Sequence, residues 1–390
     1  MHIAGLRIAL FSGNYNMTTD GANRALNRLV EYLQRHGATV HVYSPVNDRP
    51  AFAPQGTLVP VRSLPIPGRS EYRLPLPLSA RTFARLEKFA PHVVHISSPD
   101  FCAWSALKWA KARGLPVLAS VHTRFDTYAQ YYHLGFLEGR LKAITHTVYS
   151  RCDALVTPSE SMAEVLREQR MNSDISIWSR GVDRMVFGPE RRSLEWRRSL
   201  GIGDDEVAVG FLGRLVMEKG LDVFGGAVAE LARRGVPHKV LVVGEGPARE
   251  AFATAVPGAV FAGFQSGTDL GRAVASMDVL LNPSVTETFG NVTLEAMACG
   301  IPVVAARATG STSLVVDGET GQLVPPGDAG AFADALAAYV ADKTLRQAHG
   351  AAGELRSRAY AWDAINAAMG AVYLRLIAAQ PALAQHAAVS

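Results

Sequence analysis

The chain has 390 residues, of which 48% are hydrophobic and 19% charged. That is more than one ordinary core needs, so two α/β domains are expected and a disordered or repetitive chain is excluded. The net charge of +4 is uneven, with +8 in residues 1–180 and −4 in residues 181–390; this points the first half toward something anionic, although solvated surface charge accounts for it equally well.

Met1 to Arg7 has no n-region, apolar core or cleavage site and leads directly into a strand-like run, so a cytoplasmic protein without a signal peptide is expected. The first-half strands are read at Leu6–Phe11, Val40–Tyr43, Val93–Ile96, Val117–Val121 and Ala154–Thr157. Their near-continuous apolarity suits strands covered on both faces. Between the first two, Ala22, Ala25, Leu26, Leu29, Val30 and Leu33 follow helical spacing, and Gly37 suits the residue after the helix. Helix Ser79–Phe89 lines up Arg81, Arg85 and Lys88 beside Phe83 and Leu86, a pattern that fits an anionic membrane surface or an ordinary solvated face. The three cysteines, Cys102, Cys152 and Cys299, are odd in number and without a Cys-x-x-Cys pair. They argue against a disulfide framework or structural zinc and fit a reducing compartment.

Residues 181–206 are polar and Arg-rich and read as a linker between a first domain at 1–180 and a second at 207–361. The second domain restarts the rhythm with strands at Val207–Leu212, Val240–Val243, Val279–Leu281 and Val303–Ala305, and helices at Leu221–Arg234 and Asn291–Ala298. Residues 362–390 form a last helix and tail, the helix placed to cross back onto the first domain. No apolar run reaches the roughly 18–20 residues needed to span a bilayer. The alternation argues for two doubly wound parallel sheets facing a deep cleft, with ligands beyond the carboxyl ends of the strands.

Three strand-exit loops carry chemistry. Pro283 to Gly300 holds Glu287 and Glu295, with seven residues between them, around a turn at Phe289, Gly290 and Asn291 that opens a helix. The free N–H groups of such a helix start suit a diphosphate. The carboxylates suit hydroxyls, Glu295 a ribose diol and Glu287 donor-sugar hydroxyls. Either glutamate alone would read as a cap or a solvated charge. Gly213-Arg214-Leu215-Val216-Met217-Glu218-Lys219-Gly220 places two cations where a diphosphate leaving group would need them. Gly244-Glu245-Gly246-Pro247 reads as a turn starting a helix with Pro247 at its first position. The first strand is followed by Ser12-Gly13-Asn14-Tyr15-Asn16, not Gly-x-Gly-x-x-Gly, which argues against NAD. No Asp-x-Asp occurs, so no metal is expected to be required.

At these residues the sequence resembles the family-4 glycosyltransferases of the GT-B fold, with two Rossmann-like domains. Glu287 and Glu295 match the family's Glu-x7-Glu motif, and Gly213, Arg214, Lys219 and Gly220 its diphosphate motif. Gly244 to Pro247 and Phe261 to Phe264 match intervening landmarks, the latter near the nucleobase. His122 to Tyr128 is similar to a subgroup containing GDP-mannose-dependent α-mannosyltransferases and sulfoquinovosyl-lipid synthases. The resemblance implies a retaining hexosyltransferase acting by front-face substitution, without a side-chain nucleophile. Glu287, Arg214, Lys219 and His122 would serve catalysis, His122 near the donor sugar. Gly213, Phe264, Phe289, Gly290, Asn291 and Glu295 would hold the donor, and Asn14, Asp126 and Tyr128 would stand on the acceptor side.

The expected co-substrate is a nucleotide-diphosphate sugar, GDP-mannose or a UDP-sugar, with no metal or other cofactor. The expected acceptor is a glycolipid or lipid-linked saccharide, with peripheral contact to an anionic membrane and no nucleic-acid partner. A nucleotide-sugar epimerase or hydrolase, or a non-catalytic nucleotide-sugar-binding protein, is the alternative.

Overall fold

The computed structural model describes residues 2–18, 20–66, 69–122 and 138–380. The chain forms two compact units, one of residues 1–180 with 362–390 and one of residues 181–361.

The first unit is built on a parallel sheet of β1 (Arg7–Phe11), β2 (Thr39–Ser44), β3 (Thr57–Pro60), β6 (Val93–Ile96), β7 (Val117–Ser120), β8 (Ala154–Thr157) and β9 (Ile175–Ile177). A separate antiparallel hairpin, β4 (Ser63–Ile66) and β5 (Arg69–Pro75), lies between β3 and β6 in sequence. The sheet order is β3-β2-β1-β6-β7-β8-β9, so the chain reverses its direction of growth between β1 and β6. Period-two alternation assigns the two faces. Ile8 and Leu10 meet Leu26, Leu29 and Leu33 of helix Gly21–Arg35 on one side, while Ala9 and Phe11 meet Leu107 and Trp109 of helix Phe101–Lys111 on the other. Asp20 caps the first of these helices by accepting from the Asn23 N–H at 2.8 Å, and Gly37 follows its end with φ 85°.

The last helix, Trp362–Ala378, returns to this unit. Met369, Tyr373, Leu376 and Ile377 enter the same core as Ile8 and Leu10. Trp178 Nε1 donates to Asn366 at 3.3 Å, and Tyr373 Oη lies 2.7 Å from His95 Nδ1.

The second unit repeats the plan with β10 (Ala208–Leu212), β11 (Lys239–Val243), β12 (Val260–Gly263), β13 (Val279–Asn282), β14 (Val303–Ala306) and β15 (Gly321–Val324), all parallel, in the order β12-β11-β10-β13-β14-β15. Its reversal point lies between β10 and β13.

Residues 181–206, expected as a linker, are part of the second unit. Val182, Phe187 and Ile202 are buried in its core, and residues 194–199 are helical. Arg192 and Arg197 both bind Asp278, at 2.7 and 2.8 Å. The fully buried Arg197 guanidinium also donates to the carbonyls of Ser276, Gly203 and Glu206. Arginines that read as solvated are internal partners here, because five guanidinium donors can satisfy several carbonyls and a carboxylate at once.

Removing one partner of a buried ion pair strands the other groups. Arg197→Met is therefore expected to lower the stability of the second unit by about 3 kcal/mol. Chemical denaturation followed by fluorescence would show the loss as an earlier transition.

Candidate active site

In the second unit the loops after β10 and β13 leave the sheet on either side of the reversal point, where ligands of doubly wound sheets bind. Lys219 Nζ, on the first loop, donates to Glu287 Oε1, on the second, at 2.5 Å; the two side chains are 68 residues apart in sequence. Ser284 and Thr286 hydroxyls reach the Glu218 carbonyl at 3.5 and 3.3 Å, tying the same two loops by backbone. Arg214 stands exposed on the β10 loop and forms no ion pair among the described residues.

Glycines set how closely these loops approach. A Cβ on Gly244 (φ 140°) would lie 1.9 Å from the Gly213 carbonyl oxygen, and one on Gly246 would lie 2.3 Å from that of Leu215. The contact is closed by backbone bonds from Gly213 N–H to Val243 and from Leu215 N–H to Glu245, both 3.0 Å. Gly310 (φ 89°), after β14, supports the Glu287 loop: its Cβ would stand 2.7 Å from the Glu287 carbonyl oxygen. This residue was not picked out in the sequence, where it reads as one more turn glycine.

Helices Leu221–Arg233 and Asn291–Ala298 both open directly after these loops, and both have a left-handed glycine, Gly220 or Gly290, as N-cap with no capping side chain. By contrast, Asp20, Ser79, Asp100, Ser159 and Asp328 cap helices elsewhere through their side chains. A glycine cap leaves first-turn N–H groups to an outside acceptor, reinforced by the helix dipole. Asn291 is the first residue of its helix, and Glu295 lies one turn on and half-buried. The Phe289 ring is buried against Tyr360, so only its backbone can face a ligand. Phe264, after β12, has 68% of its surface exposed, which suits stacking on a planar ring. Pro247 lies in the turn two residues before helix Arg249–Ala255, whose N-cap is Ala248, so it is not the first helical residue as expected. The hydrogen bond from Ala248 N–H to the Leu215 carbonyl delays the helix start.

In the first unit, Asn14 follows β1 and its Oδ1 accepts from the Arg73 N–H at 3.1 Å, linking this loop to the hairpin. His122 follows β7. Its Nε2 lies 2.8 Å from Ser120 Oγ and its Nδ1 2.6 Å from Arg180 Nη2. Burial, then the Arg180 charge, then His95 hold its pKa well below the ordinary histidine value. Ser120 and Arg180 as partners were not anticipated; Arg180 sits in a polar, turn-like stretch that gave no sign of burial. Asp126 and Tyr128 lie outside the described residues. Among the described residues no three His, Cys, Asp or Glu side chains form a metal-ligand group.

Helix Ala80–Phe89 has Arg81, Arg85 and Lys88 exposed, but Leu86 is fully buried and Phe83 and Phe89 pack on the first unit's core. Its apolar side is therefore spent inside the protein, and Arg81, Arg85 and Lys88 face outward beside an exposed Glu87 that pairs with Arg113. No helix among the described residues is long and apolar enough to cross a membrane.

Residues 206–342 match the family model of glycosyl transferases group 1, and residues 19–185 that of glycosyltransferase family 4. The chain is 31% identical over 368 residues to a sulfoquinovosyl transferase of Arabidopsis thaliana, covering 92% of this chain and 71% of that protein. It is 33% identical over 367 residues to a GDP-mannose-dependent alpha-mannosyltransferase of Mycolicibacterium smegmatis, covering 92% and 95%. The solved sucrose-phosphate synthase of Thermosynechococcus elongatus superposes with a TM-score of 0.79 at 22% identity, over 96% of this chain and 100% of that one. This last likeness shows the fold, which is GT-B.

The glycine contacts leave no room for a methyl group. Gly244→Ala is expected to cost about 2 kcal/mol or more through backbone displacement and a strained φ, read as a lower melting temperature of the second unit.

Proposed function

We propose, starting from the plain fact that the chain belongs to glycosyltransferase family 4, that it moves a hexosyl group from a nucleotide-diphosphate sugar to an acceptor hydroxyl with retention of configuration. The observation that carries this reading is the Lys219–Glu287 ion pair at the reversal point, beside two glycine-capped helix starts. A diphosphate is the ligand that such a place accepts: two negative groups for Lys219, Arg214 and the free N–H groups.

Lys219 and Glu287 neutralise each other, so neither charge is left uncompensated in a half-buried place. When diphosphate takes Lys219, Glu287 is released to accept from donor-sugar hydroxyls. Glu295 takes the ribose diol, and Phe264 stacks on the base. In the transfer the bond from sugar C1 to the diphosphate oxygen breaks with its electrons going to that oxygen. C1 then bonds the acceptor oxygen on the same face, and the acceptor proton passes to the leaving phosphate. Lys219 and Arg214 stabilise the charge that grows there. GDP-mannose leads among donors because of the mannosyltransferase relatives, with a UDP-sugar next.

The acceptor is a glycolipid or lipid-linked saccharide, reached from an anionic membrane surface. The support for this is the exposed Arg81, Arg85 and Lys88 stripe, with Phe83 and Leu86 turned inward. The contact is then electrostatic, without insertion.

GDP, UDP, ADP and their sugars are compared by thermal shift. A nucleotide present at 100 times its Kd adds about 2.7 kcal/mol to the folded state, so the cognate base raises the melting temperature and the others do not. Glu287→Gln is expected to keep the cognate shift but lower sugar transfer by about 10²–10³-fold. Wild-type transfer in that variant, or no shift with any nucleotide, removes the reading. Flotation with phosphatidylglycerol vesicles is expected to carry the protein at low salt, to release it at about 0.5 M salt through screening, and to fail with neutral vesicles. Salt-resistant binding to neutral vesicles would contradict the electrostatic contact.

A further inference from the structure

Arg180 is a buried cation with an unusual set of neighbours, only 4% exposed. Among the described residues no carboxylate pairs with it; Asp20 acts on it only through space. Its Nη1 donates to the carbonyls of Trp178 and Ser179 at 3.1 and 3.3 Å, and its plane lies 5.0 Å from the Trp178 ring centre. Burial lowers its pKa to about 10, which still leaves it charged at neutral pH. Keeping a guanidinium away from water without a counter-ion is costly. The remaining neighbour is His122, whose Nδ1 stands 2.6 Å from Nη2.

A guanidinium has only donors. The Nδ1 facing it must therefore offer a lone pair, and the ring hydrogen must sit on Nε2, where it is donated to Ser120 Oγ at 2.8 Å. A hydroxyl or an amide at the same place could donate or accept and would leave the tautomer open. The same charge disfavours a second ring proton. Among the described residues Trp178, edge-on at 5.5 Å, also faces the ring, as does His95, itself held by Tyr373 and kept neutral by burial, which brings its pKa down to about 3.

We infer that Arg180 is a positioning residue that fixes His122 as a neutral ring with its hydrogen on Nε2, so that His122 does not act as a proton acceptor in the reaction. What the ring serves rests on the transferase reading above; the tautomer itself does not. The sign of the pH effect follows. The His122 pKa is depressed, so the ring stays neutral below the ordinary histidine range. Without Arg180 one of the causes that depress the pKa is gone while burial remains, so the pKa rises and the ring gains a proton at a higher pH than in the unaltered protein.

The test uses the full chain labelled with ¹⁵N at histidine, with the His122 signals identified by their loss in His122→Gln. In the unaltered protein the ring is expected as the single Nε2–H tautomer from about pH 8 to 5.5. In Arg180→Met it becomes a tautomer mixture whose protonation begins at a higher pH than in the unaltered protein, and the acidic fall of transfer moves to higher pH with it. Arg180→Lys, which keeps a charged donor, restores the Nε2–H form. An Nδ1–H tautomer or a protonated ring at pH 6 in the unaltered protein overturns the inference, and that reading needs no variant to fold. A single Nε2–H tautomer with an unchanged pH profile in Arg180→Met overturns it as well. If no nucleotide sugar supports transfer but the tautomer behaves as stated, the transferase reading fails and the positioning role stands.

Discussion

The second unit depends on backbone approaching backbone at the carboxyl ends of β10, β11, β13 and β14. Gly244 and Gly246 let the β11 loop pack on the β10 loop, and Gly310 lets the β14 loop pack on the β13 loop, with carbonyl oxygens where a methyl group would otherwise sit. Close-packed polar backbone is tolerated only when its own groups are paired, and the hydrogen bonds of Gly213, Leu215 and Ala248 meet that demand. The result is a surface made largely of peptide groups, from which few but well-directed side chains project. Such a surface suits a ligand whose charge is spread over several oxygens.

Charge is handled in three ways along the chain. Arg197 is buried with both terminal nitrogens partnered, so its role is to join the segment before β10 to the body of the second unit. Lys219 is half-buried in a pair with an acid from a different loop, an arrangement that a stronger anion can rearrange. Arg180 is buried against a histidine and carbonyls, where its field acts on a neighbouring ring instead of on a counter-ion. The same residue types therefore stand in three different electrostatic settings, and burial with partner identity separates them.

Much of this was legible before any coordinates. Strands covered on both faces stand out as short apolar runs, so β6 (Val93–Ile96) and β8 (Ala154–Thr157) fall on the residues expected. Helix Asn291–Ala298 was marked at its start by Gly290 and at its end by Gly300. Lys219 and Glu287 each read as lying on a strand-exit loop, but the direct ion pair between them had no local signal. Less was legible where the local pattern is weak. Edge strands β3 (Thr57–Pro60) and β9 (Ile175–Ile177) are short and partly exposed and lack that apolar signature. Residues 181–206 were read as a linker because charge suggests solvent, whereas Arg192 and Arg197 face an acid and carbonyls inside the fold. The Arg180–His122 contact spans 58 residues and has no local signal at all.

The chain enters the second unit after Arg180 and leaves it before Trp362, and the Val182 N–H donates to the Tyr360 carbonyl at 3.0 Å just inside those two points. The second unit is thus an insertion within the first, whose core lacks Met369, Tyr373 and Leu376 until the last helix arrives. During synthesis the first unit's sheet, whose last strand ends at Ile177, must wait for residues 181–361 to be made before the last helix can follow. At typical elongation rates of ~5–20 residues per second that is a delay of roughly ten to forty seconds. Through that interval one face of the nascent sheet stays partly uncovered while the inserted unit can already fold, so of the two units the one begun earlier is completed later.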